Sequence, residues 1–169
     1  MDNQILESQR LLLKSCSLNE LAQINRNQTD MLKTPIEPDA LTSSIQSAIT
    51  KKMVKMQNTD DVLHDWYTYW LMIDKVSGMG IGFIGLKGPP DSHGLSEVGY
   101  EIAAAYRRKG LTTEALKALT GWASQFQVSK GIWARVLKTN IGSVSVLNHC
   151  GFQLFGEFEH ESTYVLKFR

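Results

Sequence analysis

Apolar positions along this chain follow two periods, and where each holds predicts an element. Arg10 to Lys14 reads as a first strand, and Ser17 opens a short helix over Leu18 to Asn27. Pro35 and Pro38 interrupt the pattern. A helix then starts at Asp39 or Thr42 and runs to about Gln57, on a broken apolar stripe of Leu41, Ile45, Ala48, Ile49, Lys52 and Met56. Asn58 to Asp61 is a turn. Trp66 to Ile73, dense in aromatics, reads as a strand, Lys75 to Gly78 as a hairpin turn, and Gly80 to Leu86 as the antiparallel partner. After a loop, Lys87 to Gly94, come a strand ending at Ala103, a helix from about Leu111 to Phe126, and a strand over Gly131 to Leu137. A helix capped near Asn140 and stopped at Gly151 follows, then a last hairpin of Gln153 to Phe158 against Thr163 to Phe168. Strands come first as an antiparallel run and later alternate with helices, which argues an α/β (α+β) mixed sheet flanked by helices.

Composition narrows the class. At 169 residues and 43% hydrophobic, the chain suits one domain, 1–169, with a substantial core. Lys plus Arg (18) exceeds Asp plus Glu (17) by one, so no global basic field is available to hold nucleic acid or an anionic membrane. Cys16 and Cys150 are far apart and read as reduced. The N-terminus lacks the basic and apolar regions of a signal peptide, and no apolar run approaches the ~20 residues that span a bilayer. A soluble, cytoplasmic protein is expected.

Five other patterns carry less. Gly80-Ile-Gly82-Phe-Ile-Gly85 spells a dinucleotide fingerprint, but its glycines lie within a strand and lead into Gly88-Pro89-Pro90 rather than a helix. No Gly-Lys pair exists for a phosphate loop of the Walker type. His64, His93, His149 and His160 show no paired spacing for a metal, so none is expected. Trp66, Tyr67, Tyr69 and Trp70 suit core packing better than an amine pocket, since alternation sends them to two faces. Glu157, Glu159 and Glu161 read as a solvated hairpin tip that could also attract an ammonium group.

The segment from Val98 to Leu119 carries the most chemistry. A strand delivers Arg107-Arg108-Lys109-Gly110 directly into a helix whose apolar face is Leu111, Ala115, Leu116, Ala118 and Leu119. The first amides of a helix have no intrahelical partner and lie at the positive end of its dipole, so they bind phosphate where the backbone can come close. Gly110 permits the approach, and Thr112 and Thr113 can cap or donate hydroxyls. On these residues alone, a basic solvated turn is an equal reading.

The order of motifs separates the two. Arg107-x-x-Gly110-x-Thr112 resembles the pyrophosphate loop of the GNAT acetyltransferases, and Asn140-x-x-Ser143 ending in Gly151-Phe152 resembles their second hallmark. Tyr106, Thr113-Glu114-Ala115-Leu116 and an opening Gln9-Arg10-Leu11-Leu12-Leu13 are similar to the RimJ/RimL-like branch, which acetylates ribosomal-protein amino termini. The resemblance spans nearly the whole chain. It departs at Thr112, where the family usually has Gly or Ala and where a β-branched residue narrows the approach of a phosphate.

That resemblance implies a mostly antiparallel twisted sheet with a splayed parallel pair near residues 98 and 132, into which the pantetheine arm of acetyl-CoA enters. Tyr100, Ile102, Ala103, Ala104, Arg107, Arg108, Lys109, Gly110, Leu111, Thr112 and Asn140 are then the expected cofactor-binding residues. A strand amide between Tyr100 and Ala103 would hold the oxyanion, and Ser143 would donate to the leaving thiolate or merely cap its helix. Glu97 and Glu101 fall on one strand face and are the candidate bases, with Glu97 slightly ahead because the family often uses an acid near it. A non-catalytic acyl-CoA-binding regulator is the alternative. The expected partners are acetyl-CoA and an amine, with the protein a monomer or homodimer. RimL-like proteins usually carry a longer last hairpin with another acid, whereas the turn at Glu159 to Ser162 is short. A small amine, a polyamine or another protein N-terminus therefore stays open as acceptor.

Overall fold

The computed structural model describes residues 3–169. Eight strands form one sheet in the order β1-β2-β3-β4-β5-β6-β8-β7. They are β1 (Ile5–Glu7), β2 (Leu11–Ser15), β3 (Tyr69–Asp74), β4 (Gly80–Leu86), β5 (Leu95–Ile102), β6 (Gly131–Leu137), β7 (Gln153–Glu157) and β8 (Glu161–Lys167). Every neighbouring pair is antiparallel except β5 and β6. The mixed sheet expected from the order of elements is therefore present.

Helices cover both faces. On one, α1 (Leu18–Asn25) and α2 (Ser43–Gln57) bury Leu21, Ile24, Ile45 and Ile49 against Phe83, Tyr69 and Leu71. On the other, α4 (Leu111–Ala123) and α5 (Ile141–His149) bury Leu116, Leu119 and Leu147 against Ile84, Val98 and Ile132. Local chemistry sets the helix starts. Ser17 and Glu20 form a reciprocal capping box, Thr42 accepts from the Ile45 amide at 3.2 Å, and Asn140 accepts from the Ser143 amide at 3.1 Å. Gly151, at φ +82°, ends α5 as the glycine stop signal requires.

The aromatic segment differs from its sequence reading. Trp66 and Tyr67 belong to a single helical turn, α3 (His64–Tyr67), and the strand begins only at Tyr69. Tertiary packing overrides their strand propensity: the Trp66 ring lies 4.7 Å from Trp122 and 5.1 Å from Phe126, an aromatic cluster that a straight strand would pull apart. Likewise α4 stops at Ala123, because the amides of Gln125 and Phe126 turn back to carbonyls three residues earlier. Strand β1 lacked the length and alternation to be foreseen. The glycines of β4 are strand glycines, as read; a Cβ on Gly82 would sit 2.6 Å from the Glu101 carbonyl oxygen of β5.

Lys52 breaks the apolar stripe of α2 in an informative way. It is 7% exposed, and its Nζ donates to the carbonyls of Tyr67 (2.8 Å) and Leu86 (2.9 Å) while lying 4.4 Å from the Tyr69 ring centroid. Burial, with smaller contributions from Lys55 and Lys87, pushes this amine down to about 7.

Candidate active site at the strand splay

Strands β5 and β6 pair over only three positions, Leu95 with Gly131, Ser96 with Ile132 and Glu97 with Trp133. Beyond them each strand is held from its outer side. β5 stays on β4 from Val98 to Ile102, and β6 stays on β8 as far as Leu137. A gap opens between them. The Glu97 carbonyl accepts from the Lys87 amide just after β4 and the Ala103 amide donates to Ile81 of β4, so alternation along the strand turns the amides of Tyr100 and Ile102 toward the gap. Those groups are the ladder donors that the missing pairing leaves free.

A cavity of about 250 Å³ fills the gap, lined by Val98, Tyr100, Val136, Asn140, Ser143 and others. It shares Lys87, Gly99, Tyr100, Asn140 and Ser143 with a larger groove of about 1080 Å³. That groove runs from Ser44, Ile45 and Ala48 of α2 past Tyr69 and Glu101 to Arg107, Arg108, Gly110 and Thr113.

At the loop end, Arg108 (φ +62°) and the helix-capping Gly110 (φ +78°) are both left-handed. Among the described residues, the amides of Arg108 to Thr113 find no backbone carbonyl partner. Successive unpaired amides in such a turn form a concave anion receptor. Glu114, in the first turn of α4, anchors the receptor to the turn between β1 and β2. It accepts from the Ser8 hydroxyl (2.8 Å), the Arg10 amide (2.9 Å) and the Arg10 guanidinium. Its burial opposes ionisation, but these bonds outweigh burial and hold the carboxyl below its usual range. Arg10 thereby lies beside the loop; an ideal Cβ on Gly110 would be 3.2 Å from its guanidinium.

Two polar contacts line the middle of the groove. The Ser143 hydroxyl donates to the Tyr100 hydroxyl at 2.9 Å. Burial pushes the Tyr100 hydroxyl up to about 12, the bond from Ser143 opposing. On the opposite face of β5, Glu101 Oε2 accepts from the Thr42 hydroxyl at 2.6 Å.

The family profile of an acetyltransferase (GNAT) domain matches residues 10–153. The chain belongs to the GNAT acetyltransferase family. An uncharacterized N-acetyltransferase of Bacillus subtilis (strain 168), YjdG, is 33% identical over 94 residues, 54% of this chain and 56% of that protein. The match thus spans little more than half of this curated relative. Among solved structures, RimL, a ribosomal L7/L12 alpha-N-protein acetyltransferase in complex with coenzyme A, superposes with a TM-score of 0.68 at 15% identity, over 97% of this chain and 98% of that one. The microcin C7 self-immunity acetyltransferase MccE, in complex with acetyl-CoA and AMP, gives 0.63 at 20% identity over 95% and 94%. At these identities the likeness is one of fold.

Within this GNAT fold the groove gathers Tyr100, Glu101, Ile102, Arg107, Arg108, Gly110, Leu111, Thr112, Asn140 and Ser143, and Glu97 lines the adjoining cavity. Two expected residues are not brought to it: Ala103 is buried with its amide donated to the Ile81 carbonyl, so that amide cannot serve an oxyanion, and Ala104 is exposed outside the groove. Lys109 contributes its amide to the loop receptor, while its ammonium lies 5.5 Å from the Tyr106 ring centroid. Glu97 is occupied as well, its Oε1 accepting from Lys87 Nζ at 2.8 Å. Sequence reasoning missed Thr42, Arg10 and the Tyr100 hydroxyl. Only Arg10 carried a signal, in the opening motif; the other two act through partners 59 and 43 residues away.

Proposed function

We propose that this chain is an acetyl-CoA-dependent N-acetyltransferase, acting as one cytoplasmic domain over residues 1–169, that moves an acetyl group onto a primary amine by direct attack. The observation that carries the reading is the gap between β5 and β6, open to an anion-binding loop on one side and to a carboxylate, Glu101, on the other. The donor set fits the cosubstrate: unpartnered amides from Arg108 to Thr113, with Arg107 and Arg108 beside them, suit a pyrophosphate.

Acetyl-CoA supplies an activated thioester; the chain supplies the rest. The amides of Tyr100 and Ile102 hold the carbonyl oxygen as it gains charge. Glu101 accepts the proton of the incoming amine, directly or through water, and an α-amine titrating near ~8 needs only modest help. Glu101 replaces Glu97 as the preferred base because Glu97 lies where the strands still pair and is engaged by Lys87. Ser143 and Tyr100 present a hydroxyl pair to the departing sulfur, and Tyr100 stays protonated throughout the physiological range. Asn140 caps α5 and so fixes where Ser143 stands.

The acceptor is a protein N-terminus, a polyamine or another small amine. Thermal shift with acetyl-CoA, CoA, ATP and NAD tests the first half of the reading: a CoA compound at ~100 times its Kd adds roughly 2.7 kcal/mol of stability, and ATP and NAD add none. Release of free CoA with an amine panel tests the second. CoA binding without release under any amine sinks the enzyme and leaves a regulator; no stabilisation sinks both.

A further inference from the structure

Thr42 stands 59 residues from Glu101 in sequence, yet their side chains share a 2.6 Å hydrogen bond in the wall of the groove. The hydroxyl of Thr42 has one proton and uses it on Glu101 Oε2. Its oxygen accepts from the Ile45 amide at 3.2 Å, which caps the 15-residue helix α2. One hydroxyl thus ties the carboxylate to the start of the helix whose Ser44, Ile45 and Ala48 form the adjacent groove wall. On Glu101 the other oxygen, Oε1, has no partner among the described residues.

We propose that Thr42 is a positioning residue for acetyl transfer: it orients Glu101 so that one carboxylate oxygen is fixed by α2 and the other is presented to the acceptor amine. The proposal rests on the assignment of Glu101 as the proton acceptor. A hydroxyl bonded to one oxygen removes the freedom of the carboxylate to rotate away from the gap, and misplacement of a catalytic group by ~1 Å costs a large factor in rate. Other charged or titratable groups surround this end of the groove: Tyr69 from β3, Lys52 from α2 beneath the Tyr69 ring, Lys87 after β4, and Tyr106 and Arg107 after β5, with Glu37 accepting from the Tyr106 hydroxyl at 3.3 Å. Among the described residues Thr42 alone hydrogen-bonds the Glu101 carboxylate.

The test compares Thr42→Val, Thr42→Ser and Thr42→Asp with Glu101→Gln, measuring CoA release with spermidine and with a peptide bearing a free N-terminal serine. Thr42→Val should lower kcat about tenfold, a fraction of what a general base contributes, with KM for acetyl-CoA unchanged. Thr42→Ser should restore the rate to within about twofold, since it keeps both hydrogen bonds. Thr42→Asp caps a helix as well as threonine but sets a carboxylate against Glu101, so it should fold normally and lose as much activity as Thr42→Val. In the Glu101→Gln background Thr42→Val should cost little more. If Glu101→Gln is slow while Thr42→Val or Thr42→Asp keeps the wild-type rate, or if the two losses add in full, Thr42 is only a helix cap and the proposal is overturned. If Glu101→Gln is itself at the wild-type rate, or the wild type releases no CoA with either amine, the reading beneath it has failed and the proposal goes with it.

Discussion

On the α4 side of the gap the groove is walled largely by backbone: unpartnered amides, two left-handed residues and the start of a helix. On the α2 side it is walled by side chains, with Glu101, Tyr69 and Lys87 converging from three stretches of chain. The difference matters because a backbone receptor tolerates many side chains but depends on local conformation, while a side-chain site tolerates no loss of its key groups. It also fixes how legible each end is. A conformation that needs a glycine at one position leaves a short motif, and residues drawn together by folding leave none.

The sharpest way to break the backbone end is Gly110→Val. At φ +78° a β-branched residue is strained, and its Cβ would lie 3.2 Å from the Arg10 guanidinium beside the loop, so the receptor's local conformation must shift. The roughly 2.7 kcal/mol of stabilisation expected from CoA at ~100 times its Kd should fall to near zero, with turnover lost, while the far-UV spectrum stays that of the wild type. CoA affinity within a few-fold of normal would remove the loop from the site.

The side-chain end breaks differently. Glu101→Gln should lower kcat about a hundredfold and leave the CoA thermal shift intact, because the amide keeps the shape and loses the proton acceptor. Glu97→Gln should change kcat only a few-fold; its main partner is Lys87, and exposed pairs of this kind contribute little. If the two variants exchange these outcomes, the base lies on the other side of the splay point.

These contrasts explain what could be read from the sequence. The order of elements, the mixed sheet, the cap at Ser17 and the strand-loop-helix unit at Gly110 follow from local pattern. The helical turn at Trp66 and Tyr67 leaves no local pattern, because Trp66 packs on Trp122 and Phe126, more than fifty residues on. Preference for Glu97 rested on family habit. Lys87, which engages it, comes from the loop after β4 and carries no sign of that partnership in its neighbours.

The two ends also differ in what they titrate. Beside the backbone end, burial holds Tyr100 up to about 12 and Cys150 up to about 11, so both stay neutral across the physiological range. At the side-chain end Lys52 is pushed down to about 7 from an ordinary 10.5. Between about 7 and 9 the unfolded chain binds the proton that folded Lys52 lacks, so stability should rise with pH across this window, and that gain should be lost as pH falls to about 7. Above about 9 the thiols of Cys16 and Cys150, protonated only in the folded chain, pull the other way. The slope is at most ~1.4 kcal/mol per pH unit. Denaturant unfolding at intervals through the window should show the rise in the wild type and a flattened profile in Lys52→Met. An equal slope in both would mean that Lys52 titrates normally.

The smallest effect should come from the hydroxyl pair, and it tests whether the middle of the groove belongs to both ends. Ser143 donates to Tyr100, and Tyr100 in turn approaches the Ser143 carbonyl at 3.4 Å, so the two hydroxyls act as one proton-bearing unit. A thiolate is a tolerable leaving group. Removing either donor should thus slow turnover by only about three- to tenfold, with CoA affinity unchanged. Because each hydroxyl orients the other, Tyr100→Phe and Ser143→Ala should not multiply; the double variant should be about as slow as the slower single one. Multiplicative losses would mean that the two contact the sulfur independently. A Ser143→Ala enzyme at full speed beside a slow Tyr100→Phe enzyme would assign the proton to Tyr100 alone and leave Ser143 as part of the capped turn that Asn140 begins.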